Sequence, residues 1–238
     1  MKKIVDASYQ IWYDEFLISE SVAYSLDPCY WQENDKIIGS AQGRGTTWFV
    51  QTPKLAGALR HYHRGGLLGR IVRDHYWFIG WNKTRSYQEF IVLEHLLNNG
   101  VHVPKPIAAR ATKKYLCYQA DILTEKIPNA QDMISILKKG PLSSEIYIKM
   151  GEEIRKMHAA NVNHTDLNIH NILIDDGGKV WIIDFDKCHI ESSSTSNRTW
   201  PLSNMERLFR SFNKELDKHQ IYWNKEQDWS ALQAGYSN

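Results

Sequence analysis

His164-Thr165-Asp166-Leu167-Asn168-Ile169-His170-Asn171, followed further on by Asp184-Phe185-Asp186, is the stretch on which the reading of this chain turns. Phosphoryl transfer to an alcohol needs a carboxylate at the attacking hydroxyl. It also needs a carboxylate and an amide oxygen to hold magnesium against the phosphates. Asp166, Asp184 and Asn171 suit those three roles. Between them run Ile172 to Ile174 and Val180 to Ile183, separated by Asp175-Asp176-Gly177-Gly178, which predicts a hairpin. Such a hairpin returns the chain so that Asp184 faces the loop carrying Asp166 and Asn171. Oxygen donors match magnesium, which leans on one or two carboxylates and keeps several waters. The spacing HxDLxxxN arises by chance in a chain of this length with a probability of about one in a thousand. Two other readings stay open: His164, Asp166 and His170 as zinc or iron ligands, and a polar loop without chemistry. Against the first, histidine ligands ordinarily share a helix face at i, i+4, and these do not.

The 238 residues suffice for one generous domain or two compact lobes. Hydrophobic residues make up 42% and charged residues 24%, an ordinary globular composition. A net charge of +2 does not demand nucleic acid as a partner, so any anionic contact must come from local patches. Cys29, Cys117 and Cys188 stand far apart, without a CxxC pair, which fits a reducing compartment. Asp6, Asp14 and Glu15 interrupt the N-terminal apolar residues, so no signal peptide is expected. No run of eighteen apolar residues occurs, which excludes a spanning helix but leaves peripheral membrane contact open.

From Lys36 to His63 the text reads as strand, Gly-rich hairpin, then strands at Thr46–Gln51 and Gly57–Tyr62. Tyr87, Phe90, Ile91, Leu93, Leu96 and Leu97 lie at helical spacing within 84–99, and Asn98, Asn99 and Gly100 supply a stop. Strands are predicted over 103–111 and 115–123, with a break at Pro128 and Asn129. A helix over 143–160 carries Ile146, Met150, Ile154 and Met157, with Ser143 or Ser144 as its cap. A last helix is placed at 203–218. Ser192 to Ser196 is the one low-complexity tract.

The loop and the Asp-Phe-Asp segment resemble the catalytic loop and magnesium-binding segment of the protein-kinase-like superfamily. That resemblance implies an α+β, two-lobe fold, with a β-rich nucleotide-binding lobe at 1–127 and a mainly helical catalytic lobe at 128–238. By the same likeness Asp166 is the catalytic base, Asn171 and Asp184 hold Mg2+, and ATP is the phosphate donor. Gly43-Arg44-Gly45 resembles a shortened glycine-rich loop over the phosphates, with an ordinary hairpin turn as the plain alternative. Arg60 stands where the superfamily has a third-strand lysine, with Glu89 as its helix partner and Arg64 as a competitor for the role. Glu125 to Ile127 is the implied hinge, offering backbone groups to adenine.

Only 52 of the 238 residues follow Asp186, with no Ala-Pro-Glu among them, and Thr165 replaces the usual loop arginine. A small molecule or glycolipid is therefore the expected acceptor rather than a polypeptide. The run Leu59 to Gly66, the loop Asp166 to Leu173, Asp184 to Lys187 and Arg207 to Phe212 are similar to the lipopolysaccharide kinase family of Gram-negative bacteria. Within it the resemblance is closest to the branch acting on 3-deoxy-D-manno-octulosonic acid (Kdo). It extends over 35–218 and implies phosphorylation of the 4-hydroxyl of Kdo on lipid A. It also implies peripheral contact at the cytoplasmic face of the inner membrane, with no obligate protein partner. Heptose or other small-molecule kinases, and a non-catalytic pseudokinase, are the alternatives. Arg60, His61, His63, Arg64, Arg70 and Arg73, interleaved with Leu67, Leu68, Ile71 and Val72, read either as a basic apolar segment for an anionic glycolipid or as a solvated loop. Arg207, Arg210, Lys214 and Lys218 fall on one predicted helix face.

Overall fold

The computed structural model describes residues 1–18, 21–43, 45–64, 74–192 and 199–237. They fall into two compact units, Met1–Glu94 with Lys105–Lys126, and His95–Pro104 with Ile127–Asn238. The first is built on β1 (Lys2–Val5), β2 (Tyr9–Tyr13), α1 (Val22–Ser25), α2 (Pro28–Glu33), β3 (Ile37–Gln42), β4 (Thr46–Gln51), β5 (Ala56–His61), β6 (Tyr76–Trp77), α3 (Arg85–Asn98), β7 (Pro106–Lys114) and β8 (Cys117–Glu125). Its strands form one antiparallel sheet in the order β1-β2-β7-β8-β5-β4-β3, with β6 also on β8.

Alternation along β5 distributes its side chains to opposite faces of this sheet. Leu59 joins Val50, Ile107 and Leu123 in a cluster closed by Val22 from α1, Leu26 just after it and Trp31 from α2. The Trp31 indole donates to Ser25 O at 2.8 Å, so the ring is buried without losing its polar bond. Arg60, one residue on, points to the face covered by α3. Sequence periodicity placed α3 and β4 well. It missed β1, β2, α1 and α2, whose short segments carry weak patterns.

β7 and β8 each begin later than predicted. Val103 is fully buried with the second unit rather than in the sheet, and the pairing with β8 starts only at Pro106, opposite Thr124. At the other end Tyr115 and Leu116 form the turn, although their types read as strand.

The second unit contains β9 (Gln131–Asp132), α4 (Met133–Leu137), α5 (Ser144–Ala159), β10 (Val162–Asn163), β11 (Ile172–Ile174), β12 (Val180–Ile182), β13 (His189–Ile190), α6 (Trp200–His219) and α7 (Gln227–Ser237). Two small antiparallel ladders, β12-β11-β9 and β10-β13, carry its loops. Ser143 is the N-cap of α5, but its side chain makes no capping bond. Helix α7, which the sequence reading lacked, crosses α5 at two glycines. A Cβ on Gly151 would stand 2.0 Å from Leu232 O, and one on Gly235 would stand 2.0 Å from Ile148 O. The α+β class expected from the sequence is the one observed. No helix among the described residues is long and apolar enough to cross a membrane.

Candidate active site

The second unit gathers the loop residues around a buried histidine. His164 is fully buried, and its Nε2 lies 3.1 Å from Ile183 O. A carbonyl only accepts, so Nε2 carries the proton and Nδ1 accepts from the Asp166 amide at 3.3 Å. Burial pushes the imidazole toward neutrality, outweighing its bond to the Ile183 carbonyl and the charges of Asp184 and Asp166. Both ring nitrogens are thus committed to backbone. His170 instead reaches Glu215 at 3.4 Å. The zinc or iron reading of His164, Asp166 and His170 fails on these commitments.

Around that pin the chain folds back on itself. Asn171 Nδ2 and Asn168 Nδ2 donate to the Asp166 carbonyl at 2.9 and 2.8 Å. The Ile183 amide donates to Asn171 O at 3.0 Å, which sets Asp184 one residue beyond the pairing. Asp166, Asn171 and Asp184 are therefore held on two strips of backbone cross-linked by His164 and Asn171. Leu167, Ile169 and Phe185 are fully buried beneath them, and Phe185 packs on the His164 ring at 4.8 Å. The Asp166 and Asp184 side chains stay exposed. Asp184 adopts φ 63° and Lys187 φ 67°, left-handed conformations that cost a residue with a Cβ about 1–2 kcal/mol each.

With the Asn171 nitrogen spent on the Asp166 carbonyl, its Oδ1 is the amide atom that could hold a cation. An amide oxygen and the Asp184 carboxylate are hard oxygen donors, a set that fits magnesium completed by phosphate and water. Among the described residues no three His, Cys, Asp or Glu side chains gather as a metal cage.

Helix α6 holds the loop from behind, a role the sequence reading did not assign. Asn204 Oδ1 accepts from the His164 amide at 3.1 Å, Ser211 Oγ accepts from the Ile169 amide at 2.9 Å, and Arg207 donates to His164 O at 3.4 Å. The basic face predicted for this helix accordingly divides. Arg207 turns to the loop, whereas Arg210, Lys214 and Lys218 are exposed. Polar residues at 204, 207, 211 and 215, spaced three and four apart, were the available signal.

In the first unit Arg60 Nη2 lies 2.8 and 2.7 Å from the two Glu89 carboxylate oxygens. Tyr62 Oη donates to Glu89 at 2.5 Å, and the Arg60 guanidinium stacks 5.0 Å over the Tyr62 ring. Arg64 does not compete for that carboxylate. Its Nε donates to His75 O at 2.7 Å, and its guanidinium sits over Tyr76. Gly43 and Gly45 form the tip joining β3 to β4, with Gly43 N donating to Gly45 O. A Cβ on Gly45 would meet the His63 ring at 2.1 Å, so only glycine lets that ring approach. Glu125 ends β8, where its carboxylate takes the Lys105 amide at 3.3 Å. Ile127 is buried in the second unit. Arg44, Gly65 and Gly66, the basic apolar residues 67–73 and most of the serine tract lie outside the described residues.

A family model, Lipopolysaccharide kinase (Kdo/WaaP) family, matches residues 29–236. The chain belongs to this family. The 3-deoxy-D-manno-octulosonic acid kinase of Vibrio cholerae serotype O1 is 58% identical to this lipopolysaccharide kinase family member over 93% of this chain and 92% of its own. The protein of the same name from Vibrio parahaemolyticus serotype O3:K6 is 56% identical over 98% and 95%. That from Haemophilus influenzae strain PittEE is 48% identical over 87% of each. Among solved structures, WaaP in complex with acyl carrier protein superposes with a TM-score of 0.61 over 95% of this chain and 88% of that chain. At 14% identity this shows the kinase-like fold alone. Family membership makes the protein a phosphotransferase acting on a hydroxyl group.

Proposed function

We propose that this kinase transfers the γ-phosphate of ATP to the 4-hydroxyl of Kdo on Kdo-lipid A, with Mg2+, as a peripheral protein at the cytoplasmic face of the inner membrane. The observation that carries the reading is near full-length identity of 58% and 56% to proteins named as Kdo kinases. The loop built on Asp166, Asn171 and Asp184 supports it from the side of chemistry.

In this reading Asp166, its backbone fixed from both sides, orients the sugar hydroxyl and takes its proton late in transfer. Asn171 Oδ1 and the Asp184 carboxylate are the protein's metal ligands. The bound ion would neutralise charge on the phosphate oxygens. Arg60, clamped by Glu89 and Tyr62, directs its charge at the phosphates, and the Gly43–Gly45 tip offers backbone amides to them. Glu125 to Ile127 supplies backbone groups to adenine.

The test is mass spectrometry of Kdo-lipid A incubated with ATP, magnesium and the protein. A gain of one phosphate on Kdo is expected, and Asp166→Asn should lower the rate by about 10² to 10⁴. Phosphate on another sugar would move the protein to a sister kinase for heptose. Absence of ATP turnover would leave the pseudokinase alternative.

A further inference from the structure

The turn joining β7 to β8 has an unusual composition for its place. Two-residue hairpin turns favour Asn, Asp and Gly, yet Tyr115 and Leu116 occupy this one. Tyr115 takes φ 57°, a conformation disfavoured for any residue with a Cβ. Both side chains stand in solvent, at 87% and 72% exposure. Strand β6 brings two more beside them. Trp77 pairs with Cys117, and the Phe78 amide donates to Leu116 O at 2.9 Å. Trp77 and the nearby Ile79 are 68% and 79% exposed. Four large apolar side chains thus project from one corner of the sheet, and packing among the described residues accounts for none of them.

The charges beside them are basic. Lys113 and Lys114 lead into the turn, and Lys83 is exposed in the short 3-10 turn that follows Gly80. Lys113 Nζ sits 4.8 Å over the Phe78 ring, which keeps its charge at the corner. Asp6, on the adjoining β1–β2 turn, folds its carboxylate onto the Ser8 amide and hydroxyl.

We propose that this corner docks the protein on an anionic lipid bilayer, with Trp77, Ile79, Tyr115 and Leu116 entering the interfacial layer and the lysines meeting lipid phosphates. Tryptophan and tyrosine favour that layer, where an apolar body and a polar tip are both accommodated. Lysines around inserted apolar side chains add attraction to anionic headgroups. The proposal rests on the reading of a membrane-held acceptor and names the surface that reads the membrane.

The experiment compares the wild-type protein with a Tyr115→Asn/Leu116→Gly variant and a Lys113→Gln/Lys114→Gln variant. Sedimentation with phosphatidylglycerol–phosphatidylcholine vesicles measures binding, and phosphorylation of a soluble, delipidated Kdo acceptor is assayed alongside. Asn-Gly suits a tight turn, so the first variant keeps its hairpin and any loss is not one of folding. The expected result is on the order of tenfold weaker vesicle binding for the turn variant. The lysine variant should lose about fivefold per charge removed, and only on anionic vesicles. Turnover of the soluble acceptor should be unchanged in both. Wild-type binding retained in full by both variants would overturn the assignment of the corner while leaving peripheral membrane association intact. A wild-type protein indifferent to vesicles would overturn both. Concentration-dependent self-association abolished by the turn variant, with vesicle binding unchanged, would give the corner to a second copy of the chain and overturn the lipid proposal. Failure to phosphorylate the soluble acceptor would count against the kinase reading alone.

Discussion

In the proposed reading, Arg60 carries an electrostatic task into an unusual geometry. A guanidinium is a planar fork where an ammonium is a point charge, and here one nitrogen of that fork is gripped by both oxygens of the buried Glu89. Arg60→Ala should lower kcat/KM for ATP by about 10². Arg60→Lys should recover part of that loss, since charge returns without the fork. Glu89→Ala on top of Arg60→Ala should add less than it costs alone, because the two side chains act as a unit. Steady-state kinetics on the four proteins would show this, and full additivity would contradict it. Histidine burial yields a second expectation at this scale. Burial drives His158 down to about 4 from 6.5. Its neutral state is favoured by the fold, so the associated stability is complete above pH 6.5 and disappears as pH falls toward 4, a loss of about 3 kcal/mol. His164 shifts in the same sense. Urea midpoints taken from pH 7 to 4 should fall, and His158→Gln should flatten the fall without removing it. His61 runs the opposite way. Its bond to Asp121 at 2.7 Å is the largest cause raising its pKa, so its contribution is present below pH 6.5 and lost as pH rises through the raised value.

Helices α5 and α7 meet where Gly151 and Gly235 let backbone touch backbone, and the atoms a new methyl would strike belong to main chain rather than to mobile side chains. Relief would require one helix to move off the other, exposing Leu232 and weakening the His158–Tyr236 bond of 2.7 Å. Gly151→Ala should therefore destabilise by about 3 kcal/mol, although the same change on an exposed helix surface would help by about 1 kcal/mol. A lower urea midpoint with unchanged slope would verify the first figure, and an unchanged midpoint would refute the close crossing. Helix α6 matters differently. Its Asn204 and Ser211 satisfy the His164 and Ile169 amides, so this element holds the loop that carries Asp166 from behind.

At the scale of the whole molecule, ligand binding and folding are linked, since anything bound by the native state alone stabilises it. Mg2+ with ATP at about a hundred times its dissociation constant should stabilise the protein by about 2.7 kcal/mol. Chelation should remove part of that gain. Asp184→Asn suits φ 63°, because asparagine tolerates left-handed backbone, so the variant should fold normally and lose the magnesium-dependent part of the thermal shift. An undiminished shift would remove Asp184 from the metal site. Much of this protein was determined by its sequence. Helical periodicity in α3 and α5, alternation in β4 and β5, and the Asp-Gly turn between β11 and β12 are local signals, set by neighbours a few residues away. The pattern that placed Asp166 and Asn171 on one loop, and Asp184 at the strand end after its hairpin, was legible for the same reason. Tertiary structure decided what depends on residues distant along the chain. It chose Arg60 over Arg64 as the partner of Glu89, because Arg64 is drawn to the His75 carbonyl. It made His164 a neutral pin rather than a metal ligand, because the Ile183 carbonyl claims its Nε2 proton. It turned a predicted strand start into the exposed turn at Tyr115 and Leu116, because β6 pairs alongside β8 and a hairpin's end is set by its partners across the sheet.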